Sequence, residues 1–189
     1  MCLAKKGLTL NYIYHLKPEP MEGDSLIPLN EMDKDSQLFK GHAKKYTGRE
    51  ELTEVDLPFL NCKWNDVVQF SALDPRVIVD ELRKYQTDLV LSRRSFYKIS
   101  VDQIVNKYEA IIFDRDPTRG KGSSFEVLPH EVKLFNHENY TEQTEVPIKT
   151  IECWKRAKEE GGKFLFFPFV THIMVKGKID TGEFDLVNF

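Results

Sequence analysis

The residues best suited to chemistry in this 189-residue chain crowd into one stretch. Asp114 and Asp116 flank Arg115, directly after the apolar run Ile111-Ile112-Phe113 and before Pro117 and Thr118. Two carboxylates so spaced at a strand end are the types that phosphoryl transfer needs, one as nucleophile and one as acid and base beside a divalent cation. The same residues also make an ordinary β-turn, because Asp and Pro both favour one. The loop Arg115–Ser124 continues with Arg119 and Lys121 for positive charge, and with Gly120 and Gly122 to expose backbone N–H groups, the ingredients of an anion contact. The glycine spacing and the Lys-Ser/Thr pair of a P-loop are missing. Elsewhere, His15, His42, His130, His137 and His172 include no pair at the i, i+4 spacing of a helical metal site, and Cys2, Cys62 and Cys153 include no C-x-x-C pair, so no metal is expected. Cys62 beside Trp64 reads either as a thiol nucleophile or as a small buried hydrophobe.

The elements that would position these groups follow from patterning. Alternation predicts strands over Leu8–Leu16, with Ile13 and His15 on one face and Tyr12, Tyr14 and Leu16 on the other, and over Ser25–Leu29. Asp35 or Ser36 caps a helix to about Tyr46, and Thr47 with Glu50 has capping-box spacing. Residues 59–75 are the densest in signals: Asp66–Ser71 reads as a strand, and Asp74-Pro75 opens a helix to about Tyr85. Strands are expected at Phe96–Ile99, Glu109–Asp114, Phe125–Leu128, Glu131–Phe135 and Phe184–Val187, with a short helix over Val101–Lys107. Pro147 opens a helix to near Glu160, closed by Gly161-Gly162, and Lys163–Val175 reads as a long strand or a bent pair around Pro168. Strands outnumber helices and short turns join several of them. The expected fold is therefore α+β, a mostly antiparallel sheet or sheets with three to five helices, in a single domain of residues 1–189.

Composition narrows the function. With 27 basic and 30 acidic residues the net charge is −3, which argues against broad nucleic-acid binding. The beginning MCLAKKGLTL lacks the apolar segment of a signal peptide, no run approaches a membrane span, and an odd number of cysteines suits a reducing compartment, so a soluble, cytoplasmic protein is expected. The 13 Phe imply a ring-rich core, and that aromatic wealth also suits a non-enzymatic interaction module.

Three resemblances add to this reading. The segment Ile111 to Thr118, an apolar strand followed by D-x-D-x-T, resembles the nucleophile motif of haloacid-dehalogenase-like phosphatases, which implies Asp114 as nucleophile, Asp116 as acid/base and Mg²⁺, with Thr171, Lys176 and Asp180 imitating the rest of that site. Over residues 12–135 the chain order resembles the ADP-ribosyltransferase superfamily: a strand with His15, helices, a strand with Ser71, a helix, Phe96–Ile99, Glu109–Asp114, the Gly-rich loop, and Glu126. Such domains pack two small sheets around a cleft for NAD. The resemblance implies that His15 bonds a ribose hydroxyl, that Ser71 lies beside the nicotinamide, and that Tyr97 offers a stacking ring. It further implies that Glu126 stabilises the positive charge developing on the ribose as nicotinamide leaves, and the loop's Arg119 is the candidate contact to the cofactor's phosphate. Two departures stand out: Phe70-Ser71 lacks the Ser-Thr-Ser pattern, and Ser124 stands where a second acid would support transfer to arginine. Finally, YIYHL (12–16), GDSLIPLNEM (23–32), LNCKWNDVVQFSALDP (60–75) and GKFLFFPFVTH (162–172) are similar to small bacterial proteins of unknown function termed group-specific, which implies no activity.

Overall fold

The computed structural model describes residues 11–21, 23–89, 94–119 and 126–189. In chain order these form β1 (Tyr12–Leu16), β2 (Ser25–Leu26), α1 (Gln37–Ala43) with a 3-10 turn at Lys44–Tyr46, β3 (Asp56–Leu57), β4 (Cys62–Lys63), a 3-10 turn at Trp64–Asp66, and β5 (Val67–Ser71). There follow α2 (Pro75–Leu82), β6 (Ser95–Ser100), β7 (Ala110–Phe113), β8 (Val132–Leu134), α3 (Ile148–Glu160), β9 (His172–Lys176), β10 (Ile179–Asp180) and β11 (Asp185–Asn188). The fold is α+β, as the patterning predicts. Seven strands make one antiparallel sheet in the order β11-β6-β1-β5-β9-β7-β8, with β2–β10 and β3–β4 as two small ribbons.

The sheet is buried on both faces, and alternation decides which residue goes where. Ile13, Val68, Phe70, Ile99, Ala110, Ile112, Ile173 and Val175 share one face and one core. Val67, Ile111, Phe113, Val132 and Met174 share the other, with Leu57, Leu60 and Val127 packed on them. A third cluster joins the helices: Trp154 of α3 meets Leu73, Ile78, Leu82 and Val170, and its indole N–H donates to the Leu165 carbonyl at 2.7 Å. Asp74 starts α2 by accepting from the Arg76 N–H at 2.9 Å, with Pro75 at the first position. Ser36 caps α1 by accepting from the Phe39 N–H at 3.0 Å.

One seam in the sheet is thin. β1 pairs with β6 through five registered residues, and β5 pairs with β9 through five, but β1 and β5 share a single registered pair, Tyr14 with Ser71. Past that pair the two strands part. The sheet is nonetheless continuous: β11-β6-β1 and β5-β9-β7-β8 join at this narrow seam and do not form the two small sheets that the ADP-ribosyltransferase resemblance implies.

Several expected boundaries differ. Lys163–Val170 forms no strand: Pro168 lacks an N–H for a ladder, and Phe169 takes a left-handed φ of 57°. Glu126–Leu128 is irregular rather than strand, while Phe125, residues 8–10 and residues 120–124 lie outside the described residues. Thr47 caps nothing. Glu50 instead accepts from the Gly48 N–H at 2.9 Å, and a 3-10 turn runs Glu50–Glu54. Among the described residues no helix is long and apolar enough to cross a membrane.

Phe70 is fully buried at the centre of the sheet, whereas Leu186 on the edge strand is half exposed. Phe70→Ala should cost about 3–5 kcal/mol in urea or thermal unfolding. Leu186→Ser should stay within roughly 1 kcal/mol of the parent. Equal losses at the two sites would contradict this assignment of core and edge.

Candidate functional site

The parting of β1 and β5 opens a cleft of about 590 Å³. His15, Leu16, Lys17 and the Pro18–Met21 turn form one wall, and Val67, Val68 and Gln69 form the opposite one. β2, α1 with its 3-10 turn, Asn65 and Arg94 close it. His15 sits at the origin of the split. Its Nδ1–H donates to the Gln69 carbonyl at 2.8 Å, so a side chain bridges the strands where their ladder has stopped. A carbonyl only accepts, so this bond fixes the proton on Nδ1 and leaves Nε2 as a bare acceptor. Burial holds the imidazole neutral, with its pKa down at about 4. The bond to Gln69 opposes that shift, and the nearby Lys45 and His42 add to it.

The cleft is cationic. His42 and Lys45 come from α1 and its turn, Arg94 from the segment before β6, and Lys17 from the end of β1. Burial, then the charge of Arg94, lowers the pKa of the Lys45 ammonium. Burial, then Lys45, lowers that of His42. Among the described residues no carboxylate lies within ion-pair distance of Lys45, Arg94 or Lys17, although ion pairs are common elsewhere on the molecule. Among the described residues Glu19 is the only acidic one of the lining. A cavity of this size, with a few converging charges, is of the dimensions that small-molecule ligands occupy.

The residues expected from sequence do not converge here. His15 lies in the cleft. Tyr97 is its direct cross-strand partner on the same face, but it is buried, with its hydroxyl on the Met21 sulfur at 3.1 Å and its ring against Phe184. Ser71 pairs with Tyr14, so it occupies the face opposite His15, and its hydroxyl is committed to the backbone of Leu73 at 2.9 and 3.1 Å. Glu126 lines a separate acidic cleft of about 720 Å³ with Glu51, Glu54, Asp56 and Cys62, and its neighbour Val127 packs on the core of that opposite face. A carboxylate there cannot stabilise charge on a sugar bound beside His15. Arg119 is engaged in organising its own loop, donating to Glu131 at 2.9 Å and to the Glu126 carbonyl at 2.9 Å.

The Asp114–Thr118 segment folds as the turn. Asp116 accepts from the Thr118 N–H at 2.8 Å and hydroxyl at 2.6 Å, with His130 at 3.1 Å, and these bonds, Thr118 first, hold its carboxyl below its ordinary pKa. Asp114 accepts from the Thr171 hydroxyl at 3.3 Å. Lys176 lies at the far end of β9, roughly 17 Å along the strand at ~3.3 Å per residue, and donates to the Leu60 carbonyl at 3.0 Å with Glu109 alongside. The phosphatase set is thus dispersed, on an antiparallel sheet. Burial, and then Asp66, raises the pKa of the Cys62 thiol, which favours the inert reading over a nucleophile. The larger exposed apolar side chains include Phe59, Leu134, Ile148, Leu165, Leu186 and Phe189; they come from both sheet edges, two loops and α3, and do not form one docking patch. No protein-family model, curated protein or solved structure matches this chain.

Sequence reasoning missed Lys45, Arg94, His42 and Asn65. Lys44 and Lys45 at a helix C-terminus already have a structural explanation in the helix dipole, so nothing singled out Lys45. No spacing rule connects it to Arg94, about fifty residues away.

A pH dependence follows from the histidines. His15 and His172 are both held at about 4 by burial, below the ~6.5 of an unfolded chain, so the unfolded state binds more protons between those values. Their contribution to stability is complete above pH ~6.5 and is lost as the pH falls toward about 4, on the order of 3 kcal/mol each. Tm should therefore drop across that window, and His15→Asn or His172→Asn should each flatten the drop. A parent and variants with parallel profiles would refute the neutral-imidazole assignment.

Proposed function

We propose that the cleft between β1 and β5 binds a phosphate-bearing nucleotide, with NAD or its ADP-ribose moiety as the ligand class. The observation that carries this reading is the convergence of Lys45 and Arg94, with His42 beside them, on one cavity whose described lining holds one carboxylate, Glu19, which forms no ion pair with them. Cations brought together in this way repel one another, and an anion relieves that repulsion while gaining charge-assisted hydrogen bonds. Proton linkage works in the same direction: a bound phosphate raises the pKa of Lys45 and His42, so binding strengthens as pH falls toward 6. The position of His15 supports the nucleotide form of the ligand, since its Nε2 offers an acceptor to a sugar hydroxyl. The reading assigns binding and no group transfer, because Glu126 and Ser71 face away from the cleft.

Isothermal titration of the full chain with ADP-ribose and NAD should give saturable binding that weakens several-fold between low and moderate salt. Lys45→Met and Arg94→Met should each weaken it about tenfold or more, the worth of one charge-assisted contact. Glu126→Gln should leave it unchanged. Absence of both heat and any shift in Tm at millimolar ligand would rule the reading out. Loss of binding in Glu126→Gln with retention in Lys45→Met would move the site to the other cleft.

A further inference from the structure

The cleft also contains a polar group that its charge does not explain. Asn65 is 3 % exposed, lines the cleft, and has its side-chain oxygen Oδ1 fully buried without a hydrogen-bond partner among the described residues. Buried amides are nearly always satisfied, so an orphaned acceptor on the wall of a cavity calls for a reason. The residue is not loosely held. Its 3-10 turn is tied down on every side: the Lys63 N–H donates to Asp66 at 2.7 Å, the Asn30 amide to Asp66 at 2.7 Å, the Trp64 N–H to the Val55 carbonyl at 2.9 Å, and the Gly177 N–H to the Asp66 carbonyl at 3.1 Å. These bonds anchor the turn that carries Asn65, so the unsatisfied amide stays at the cleft wall.

Resting on the reading that this cleft binds a phosphate-bearing ligand, we propose that Asn65 is a specificity-determining contact. Its Oδ1 accepts a hydrogen bond from an O–H or N–H of the ligand, so that the cleft selects a hydroxyl- or amine-bearing phosphate ester over a bare polyphosphate. Asn65 Oδ1 is an uncharged acceptor on a cleft that also holds the bare His15 Nε2, and the cations Lys45 and Arg94 supply the anion contact. A ligand carrying only phosphate oxygens satisfies the cations but leaves Asn65 as it was. A sugar phosphate or nucleoside diphosphate satisfies both. The selectivity follows because a site built to receive a donor discriminates strongly against an analogue that lacks it.

The test is titration of the full chain with ADP-ribose and with inorganic pyrophosphate, in the parent, Asn65→Leu, Asn65→Ala and Lys45→Met. The parent should bind ADP-ribose at least tenfold more tightly than pyrophosphate. Asn65→Leu and Asn65→Ala should lose about tenfold in ADP-ribose affinity and stay within about twofold for pyrophosphate. Ligand-free Asn65→Leu should melt no lower than the parent, because it removes a buried group without a partner. Lys45→Met should weaken both ligands. Equal affinity of the parent for the two ligands, or equal losses of both in the Asn65 variants, would overturn the role of Asn65. If pyrophosphate binds and Lys45→Met abolishes it while the Asn65 variants discriminate as the parent does, the anion cleft stands and only the assignment of Asn65 fails. If neither ligand binds the parent, the anion cleft and this inference fall together. The parent's own ratio decides the matter if the Asn65 variants do not fold.

Discussion

The hydrogen bond from His15 to the Gln69 carbonyl is the interaction on which the rest of this structure turns. β5 is fixed by its full antiparallel register with β9, and β1 by its full register with β6, yet the two meet at one pair only. Strands that diverge leave backbone groups without ladder partners, and such groups are costly when buried. The imidazole supplies the partner at the point of divergence, and because it is a ring it also packs on Phe70, at 5.3 Å between centroids. The sheet can therefore open without an orphaned carbonyl at Gln69, and the opening is the cleft. β2, the segment from α1 to the 3-10 turn, and the turn at Trp64–Asp66 then close over the divergence and bring their polar side chains to one place.

The electrostatics of the molecule are uneven in an informative way. Where the fold needs a buried charge for its own sake, it satisfies that charge fully. Glu131 has a side chain with no exposure, and it accepts from the Leu128 and Asp116 N–H groups and from Arg119, each at 2.9 Å. Those bonds hold its carboxyl below its ordinary pKa despite the burial, and they fasten both sides of the loop that begins at Asp114. The cleft shows the reverse: among the described residues its cations form no ion pair, its imidazole is held neutral, and an amide oxygen has no partner. Lys45 and Arg94 keep solvent exposure at the mouth of the cleft, so the contrast within one chain is between a carboxylate satisfied by the fold and cations left open to solvent.

Much of the fold was legible in the sequence because local chemistry decided it. The Asp74-Pro75 start of α2, the Ser36 cap of α1, the Gly161 end of α3 and the strands at 12–16, 67–71 and 110–113 all appear where propensity and capping put them. The site was legible only in part. His15 was singled out because a histidine in a β-branched and aromatic strand is conspicuous, and the structure places it on the wall of the cleft. Ser71 was misassigned by parity: on a strand buried on both faces, period two says that Ser71 and Phe70 point oppositely, but not which of them shares a face with His15. Only the register Tyr14–Ser71 decides that. Glu126 was drawn in by chain order and Arg119 by the charge and glycines of its loop, and neither carries information about which side of a sheet a loop reaches. Lys45, Arg94 and Asn65 were invisible because the signal that unites them is the absence of partners, a property of three dimensions alone.

Amide chemical-shift mapping with ADP-ribose tests the central claim most directly, since it locates the ligand without presuming an activity. The account predicts perturbations concentrated on residues 15–17, 42–46, 64–69 and 94, with the His15 ring protons among the largest. Perturbations centred on 51–62 and 126–127, or none at saturating ligand, would contradict it.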